Sequence, residues 1–176
     1  MGSPTIPPHV RLVMGVITSS LDVTEHLNSR LEAEFGPIDI RSHTIPFDHT
    51  SYYSAEMGEA LFRMWFSHQP LISPADIALT KLKTNRIEQL LSSAGKRRVN
   101  VDPGYLSLSK FILVTTKDAP HRIYLTDGIF AEVTLRYHRH AWIPFQWTYP
   151  DYKEEVALAF FHAVRQRYLH QLEEET

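Results

Sequence analysis

The residues best suited to chemistry lie in one stretch, residues 96–137, where charged and hydroxyl side chains alternate with apolar runs. An imidazole beside a carboxylate can transfer protons, because the pKa of histidine lies near neutrality. The candidate catalytic residues are therefore His121, Glu132 and Asp102. Arginine and lysine bind phosphate or carboxylate groups, arginine through two parallel hydrogen bonds. The candidate ligand-binding residues are Arg122, Arg136, Lys117, Lys110, Thr134 and Arg98.

A predicted β-hairpin would bring three of these side chains together. The segments HRIYL and IFAEVTLRY are rich in β-branched and aromatic residues, and the Asp-Gly pair at 127–128 between them favours a two-residue turn. Both positions of such a turn require positive φ, which Asp and Gly tolerate. In the resulting register Ile123 lies opposite Glu132. Paired residues share a face, so we expect His121, Glu132 and Arg136 side by side.

These residues leave three functions open. The first is a small ligand-binding domain that recognises a phosphorylated ligand or nucleotide. The second is a phosphoester hydrolase that uses the His/carboxylate pair, and the third is a structural adaptor without a small ligand. The same residues would also suit a structural ion pair and a solvated sheet edge, since edge charges discourage strand pairing. The residues thus do not decide whether the protein is an enzyme.

Metal and nucleic-acid sites have weaker support. His138 and His140 would share a strand face, but the chain has no HExxH motif, no cysteine and no third ligand nearby, so we predict no metal site and identify no cofactor. Aromatic loops beside a basic sheet face could stack bases of single-stranded nucleic acid. Those aromatic residues are Tyr52, Tyr53, Trp142, Trp147, Tyr149 and Tyr152.

Composition predicts one cytoplasmic globular domain of unknown oligomeric state. With 176 residues and a net charge of −2, the chain has no global basic field for nucleic acid. The absence of cysteine fits a reducing compartment. The sequence contains no apolar run of the roughly 18 residues needed to span a membrane. We expect a flexible N-terminal arm over residues 1–9 and a single domain over residues 10–176.

The predicted elements form an α+β fold. Their order is β-α-β-β-α-β, which matches a ferredoxin-like plan, extended by a C-terminal β-hairpin and helix. Residues 106–116 fit a strand or a helix, and we favour the strand. The predicted strands are 10–18, 38–45, 60–68 and 99–101; the predicted helices are 20–35, 73–95 and 153–174; residues 46–59 and 142–152 are a long loop and a connector.

Five segments resemble one bacterial family of small proteins that is catalogued as a domain of unknown function. The segments are PFDHTSYYSAEMG, KRRVNVDPGYL, TKDAPHRIYL, GIFAEVTLRY and WTYPDY. Some members carry the label GTP-binding protein. This chain has no GxxxxGK[ST] loop, and Thr116-Lys117-Asp118 lacks the residue that separates Lys from Asp in the guanine-reading element. Any GTP site here would therefore use an unrelated binding mode.

Overall fold

The computed structural model describes residues 2–174, which form one antiparallel sheet of nine strands with helices on both faces. The strand order is β2-β4-β1-β5-β6-β8-β7, with β3 paired to β4 and β9 paired to β8. The strands are β1 (Val10–Thr18), β2 (Ile38–Arg41), β3 (Ile45–Pro46), β4 (Phe62–Ile72), β5 (Val99–Leu106), β6 (Lys110–Thr115), β7 (Ile123–Thr126), β8 (Ile129–His138) and β9 (Ala141–Pro144). The helices are α1 (Asp22–Phe35), α2 (Ser54–Met57), α3 (Ile77–Leu90) and α4 (Glu155–Glu174), and 3₁₀ turns span Pro74–Asp76 and Pro150–Lys153.

Two apolar cores lie on opposite faces of the sheet. On one face, here called the helix-pair face, Leu27 of α1 and Ile87 of α3 pack with Met14 of β1. On the other, called the α4 face, Phe161 of α4 packs with Trp65 of β4. Strand β1 is buried along its whole length, which explains why its sequence is a continuous apolar run instead of an alternating one.

The mixed α+β class is confirmed, and most differences from the predicted elements lie in the loops. Residues 106–116 contain strand β6, so the helical alternative is wrong. Strand β5 runs five residues beyond the predicted end at 101. The predicted loop 46–59 contains the single-turn helix α2, and the connector gains β9 because Trp142 pairs with Tyr137 of β8.

The hairpin has the predicted turn but a different register. Asp127 and Gly128 adopt φ values of 51° and 75°, as the two-residue turn requires. A β-bulge between Tyr124 and Thr126 then inserts one residue into β7. Ile123 therefore lies opposite Ala131, and the expected pairing with Glu132 is wrong. Continued along the chain, this register places Arg122 opposite Glu132.

A second bulge moves Arg136 away from the predicted group. Strand β8 skips Thr134 in its pairing with β6, so that Leu135 pairs with Phe111 and joins the core on the α4 face. Glu132 is on the same face, because its partner Leu113 belongs to that core. Arg136 follows Leu135 and points to the opposite face. The expectation that Arg136 lies beside Glu132 is therefore wrong.

Residues 2–9 form no helix or strand and are exposed. Met1 of the predicted arm and residues 175–176 of the predicted domain lie outside the described range. Within residues 2–174, every helix is too short or too polar to cross a lipid bilayer.

Candidate functional site

A cleft of about 440 Å³ opens where β5 and β6 separate. The two strands pair only over Gly104–Leu106 and Phe111–Leu113. The backbone N–H and C=O of Val101 bond to side chains of α3 instead of to β1, so they face the gap. Backbone groups two residues apart on a strand point the same way, so those of Pro103 also face the gap. Proline has no N–H to donate to a neighbouring strand. Pairing therefore stops near Pro103 and leaves the gap between the strands open.

Two charged side chains of α3 take the place of the missing strand. Lys81 Nζ donates to the carbonyl oxygen of Val101 at 2.8 Å. The N–H of Val101 donates to Glu88 Oε1, also at 2.8 Å. Burial raises the pKa of Glu88, and nearby Lys81 opposes that rise. The free edge of β5 is thus satisfied by a buried cation and a buried carboxylate, and both line the cleft.

Arg63 lies on the sheet in the wall of the cleft, with 2% of its side chain exposed. Its Cζ lies 4.8 Å from the ring centroid of Trp65 and 4.9 Å from that of Tyr152. Gly15 of β1 leaves room for it, because a β carbon there would come within 2.8 Å of Arg63 Nη2 and 2.6 Å of the Tyr152 hydroxyl. The aromatic rings and the glycine therefore hold the guanidinium in one position.

Several hydrogen-bond donors around Arg63 are unused. Arg63 Nε lies 2.9 Å from Asp151 Oδ2, but its N–H does not point at that oxygen, so the contact is an ion pair only. Among residues 2–174, Arg63 Nε and Arg63 Nη1 have no hydrogen-bond partner. Burial alone would lower the pKa of Arg63, but the nearby Tyr152, Asp151 and Asp102 outweigh burial and the pKa rises above its ordinary value. The guanidinium therefore stays charged. Unsatisfied buried donors are uncommon and mark places where an acceptor can bind.

Asp102 supplies a carboxylate next to this cation. Its Oδ1 accepts from Lys81 Nζ at 3.1 Å, and its Oδ2 accepts from Asn100 Nδ2 at 2.7 Å. Burial would raise the pKa of Asp102, but Lys81 and Arg63 outweigh it and the pKa falls below its usual value. The side chain remains 24% exposed although protein surrounds it, because its open side faces the cleft. Asp102 is therefore an ionised acceptor within reach of a ligand.

Residues 47–57 form the outer wall of the cleft. Phe47 and Met57 anchor this segment in a small apolar cluster. Glu56 binds Arg97 through both carboxylate oxygens, at 2.8 and 2.7 Å. His49 Nε2 lies 2.6 Å from Glu154 Oε1 beside the start of α4. The segment thus holds the rings of Tyr52 and Tyr53 against the cleft.

The predicted contact between His121 and Glu132 is present, but neither residue lines the cleft. His121 Nε2 lies 3.1 Å from Glu132 Oε2, and Arg122 Nε donates to the same oxygen at 2.9 Å. Glu132 is fully buried. Arg122 also donates to the backbone oxygen of Lys117 and to the hydroxyl of Tyr149, both of which line the cleft. Arg122 is therefore a positioning residue for the cleft mouth.

Lys117 is the least neutralised cation of the cleft. Its Nζ lies 3.6 Å from the ring centroid of Tyr52. In the described part of the chain it forms no ion pair with a carboxylate, whereas Arg63, Lys81 and Arg97 each do. Its ammonium group is thus available to an anionic ligand.

The predicted site residues separate into three groups. Lys117 and Asp102 line the cleft. Thr134 joins the cluster behind it, since its hydroxyl donates to Glu132 Oε1 at 3.2 Å. Lys110 and Arg136 pair across β6 and β8 on an exposed part of the sheet, and Arg98 binds Asp22 at the surface. The predicted residues are therefore not one site.

Three residues of the cleft wall, Arg63, Lys81 and Glu88, were not predicted as site residues from the sequence. Arg63 carried a usable signal, because it alternates with Leu61 and Trp65 in the otherwise apolar stretch 61–66. Lys81 and Glu88 are seven residues apart, about two helical turns, on the buried side of α3. Four of the five segments that carry the family resemblance contribute lining residues. These include His49, Tyr52, Arg97, Asp102, Lys117, Tyr149 and Tyr152.

The cleft can bind an anion and hydroxyl groups. Its lining contains four cations and three carboxylates, with tyrosine, asparagine and threonine side chains between them. A search of residues 2–174 finds no group of three or more histidine, aspartate or glutamate side chains placed to hold a metal ion. The chemistry offered by the described residues is thus hydrogen bonding and charge pairing.

Comparison with known proteins gives one match. The model of a family described as a domain of unknown function (DUF4416) matches residues 8–168, which is most of the chain. No curated protein and no solved structure matches the chain.

Proposed function

This chain belongs to the DUF4416 family, whose function is unknown, and we propose that its cleft binds a small phosphorylated ligand. The observation that carries the proposal is the guanidinium of Arg63, which lies in the wall of the cleft and forms an ion pair with Asp151 but no hydrogen bond among the described residues. A phosphate bound in the cleft would pair with this cation.

The environment of Arg63 favours an anion over a neutral acceptor. Hydrogen bonds between a guanidinium and a phosphate are charge-assisted and about twice as strong as neutral ones. Removal from water strengthens them further, since the local dielectric constant falls. Asp151 contacts Arg63 on one side only, without a hydrogen bond. The guanidinium can therefore accept a second anionic partner from the cleft.

Lys117 and the tyrosines would complete the binding site. Lys117 brings a positive charge that no described carboxylate neutralises, and Tyr152 brings a hydroxyl in the wall of the cleft. Tyr52 and Tyr149 present partly exposed rings at the mouth, where the rest of the ligand would lie. A nucleotide, including GTP, belongs to this ligand class as a narrower hypothesis.

A titration with inorganic phosphate tests the proposal. We expect Lys117→Met to weaken phosphate binding about tenfold, as the loss of one charge-assisted hydrogen bond would. The matched control is Lys110→Met, because Lys110 is exposed and outside the cleft. Equal affinity in both variants, or no saturable phosphate binding by the unaltered protein, would remove the basis for the proposal.

Two narrower proposals concern the fold and location. The strand order β2-β4-β1-β5, with all neighbours antiparallel, supports a ferredoxin-like plan for β1, α1, β2, β4, α3 and β5. The absence of cysteine supports a cytoplasmic location, where thiols are kept reduced and disulfides are rare.

A further inference from the structure

We infer that the ligand of the cleft is a monophosphorylated sugar or polyol, not a nucleoside triphosphate; this inference rests on the proposed function. The charge of the cleft lining favours one phosphate group over three. The lining has four cations and three carboxylates, so it exceeds neutrality by one positive charge. Glu56 lies outside the lining and pairs with Arg97, which leaves Lys117 as the lining cation without a carboxylate partner in the described part of the chain. One unpaired positive charge matches a single phosphate more closely than three linked phosphates, which would bring several negative charges.

The second argument is the kind of polar group beside the anion site. Asp102 accepts one hydrogen bond at each carboxylate oxygen, from Lys81 and from Asn100. Each carboxylate oxygen has two lone-pair sites, so each can accept one more hydrogen bond. A sugar hydroxyl is both a donor and an acceptor and would fit between Asp102 and neighbouring amide or hydroxyl groups. The amide and hydroxyl groups of this kind in the lining include those of Asn100, Asn85, Thr115 and Thr116.

The third argument is the size and shape of the site. About 440 Å³ lies toward the lower end of the roughly 300–1,000 Å³ typical of small-molecule sites. The exposed ring of Tyr149 offers a flat apolar surface in the lining, whereas Lys117 covers one face of the Tyr52 ring. Such rings pack well against the C–H face of a sugar ring. Phosphate at Arg63, hydroxyls at Asp102 and a ring against tyrosine would fit together within the cleft.

Calorimetric titration of the full chain with four probes tests the inference. The probes are D-ribose 5-phosphate, D-ribose, inorganic phosphate, and GTP with Mg²⁺. We expect D-ribose 5-phosphate to bind at least about tenfold more tightly than inorganic phosphate, since each tenfold reflects about one additional good hydrogen bond. D-Ribose alone should bind more weakly than D-ribose 5-phosphate, and GTP no more tightly than inorganic phosphate.

The variant Asp102→Asn adds a second measurement. It keeps the shape of the side chain but removes the negative charge, so we expect the ratio of the D-ribose 5-phosphate affinity to the inorganic phosphate affinity to fall from about tenfold to about one. If this variant does not fold, the ratio of the D-ribose 5-phosphate affinity to the inorganic phosphate affinity in the unaltered protein still tests the inference. Phosphate binding without a preference for D-ribose 5-phosphate, or tighter binding of GTP, would overturn this inference and leave the proposed function intact. Failure of all phosphate-bearing probes would instead overturn the proposed function.

Discussion

Replacing Gly15 with alanine tests the packing of the cleft directly. The added β carbon would lie 2.8 Å from Arg63 Nη2 and 2.6 Å from the Tyr152 hydroxyl, closer than unstrained contacts allow. Overpacking of this kind costs about 1–3 kcal/mol. A Gly→Ala change also restricts the unfolded chain, which returns about 0.4–1 kcal/mol. We therefore expect a net loss of roughly 1–2 kcal/mol, or roughly 2–8 °C in Tm for a chain of this size.

Ligand binding should suffer more than stability in Gly15→Ala. The methyl group would displace the guanidinium of Arg63, so phosphate affinity should fall by about tenfold or more, as when one charge-assisted hydrogen bond is lost. Thermal unfolding and calorimetric titration measure the two effects. Gly2→Ala is the control, because nothing lies within 4 Å of a β carbon at that position. An unchanged Tm together with unchanged phosphate affinity would refute the described packing of Arg63 against Gly15.

Two further predictions concern charge pairs. The pKa of Asp102 lies below its ordinary value of 3.8, so its carboxylate contributes stability above that pH and loses it as the pH falls through the lowered pKa. Asp102→Asn should therefore be less stable than the unaltered protein at pH 7 in urea unfolding, with a difference that shrinks below pH 3.8; a difference independent of pH would contradict this. Arg122→Met leaves the fully buried Glu132 without its guanidinium partner, which should lower the unfolding free energy by about 3–5 kcal/mol and weaken phosphate binding through Tyr149. Its control is Arg136→Met, an exposed site where changes usually stay within about 0.5 kcal/mol; equal behaviour of the two variants would contradict the positioning role of Arg122.

Local signals predicted local structure well. The Asp-Gly turn at 127–128 has the expected positive φ angles, because two adjacent residues decide that geometry. Helix α1 ends at Phe35, as predicted, and Gly36 follows it with a φ of 85°, which glycine adopts without strain. Ser73 caps the turn before α3 by accepting from the N–H of Ala75, again a contact between near neighbours.

The register of the hairpin and the composition of the cleft needed long-range information. The bulges at Leu125 and Thr134 arise in the pairing of β8 with β7 and β6, and no turn residue in the sequence predicts them. The predicted trio therefore lost Arg136 and gained Arg122. The contact of Lys81 with Val101 depends on β6 leaving β5, which periodicity within one segment cannot reveal. Each of these features is set by how elements pack against one another.

The central claim is that Arg63 forms the anion site of the cleft, and a crystal structure of the protein grown with arsenate tests it most directly. Arsenate has the shape and charge of phosphate, and arsenic can be located by its anomalous scattering. The account predicts an arsenic peak in the cleft with an oxygen within roughly 2.7–3.2 Å of a guanidinium nitrogen of Arg63. A peak elsewhere, with the cleft free of arsenate at saturating concentration, would contradict it.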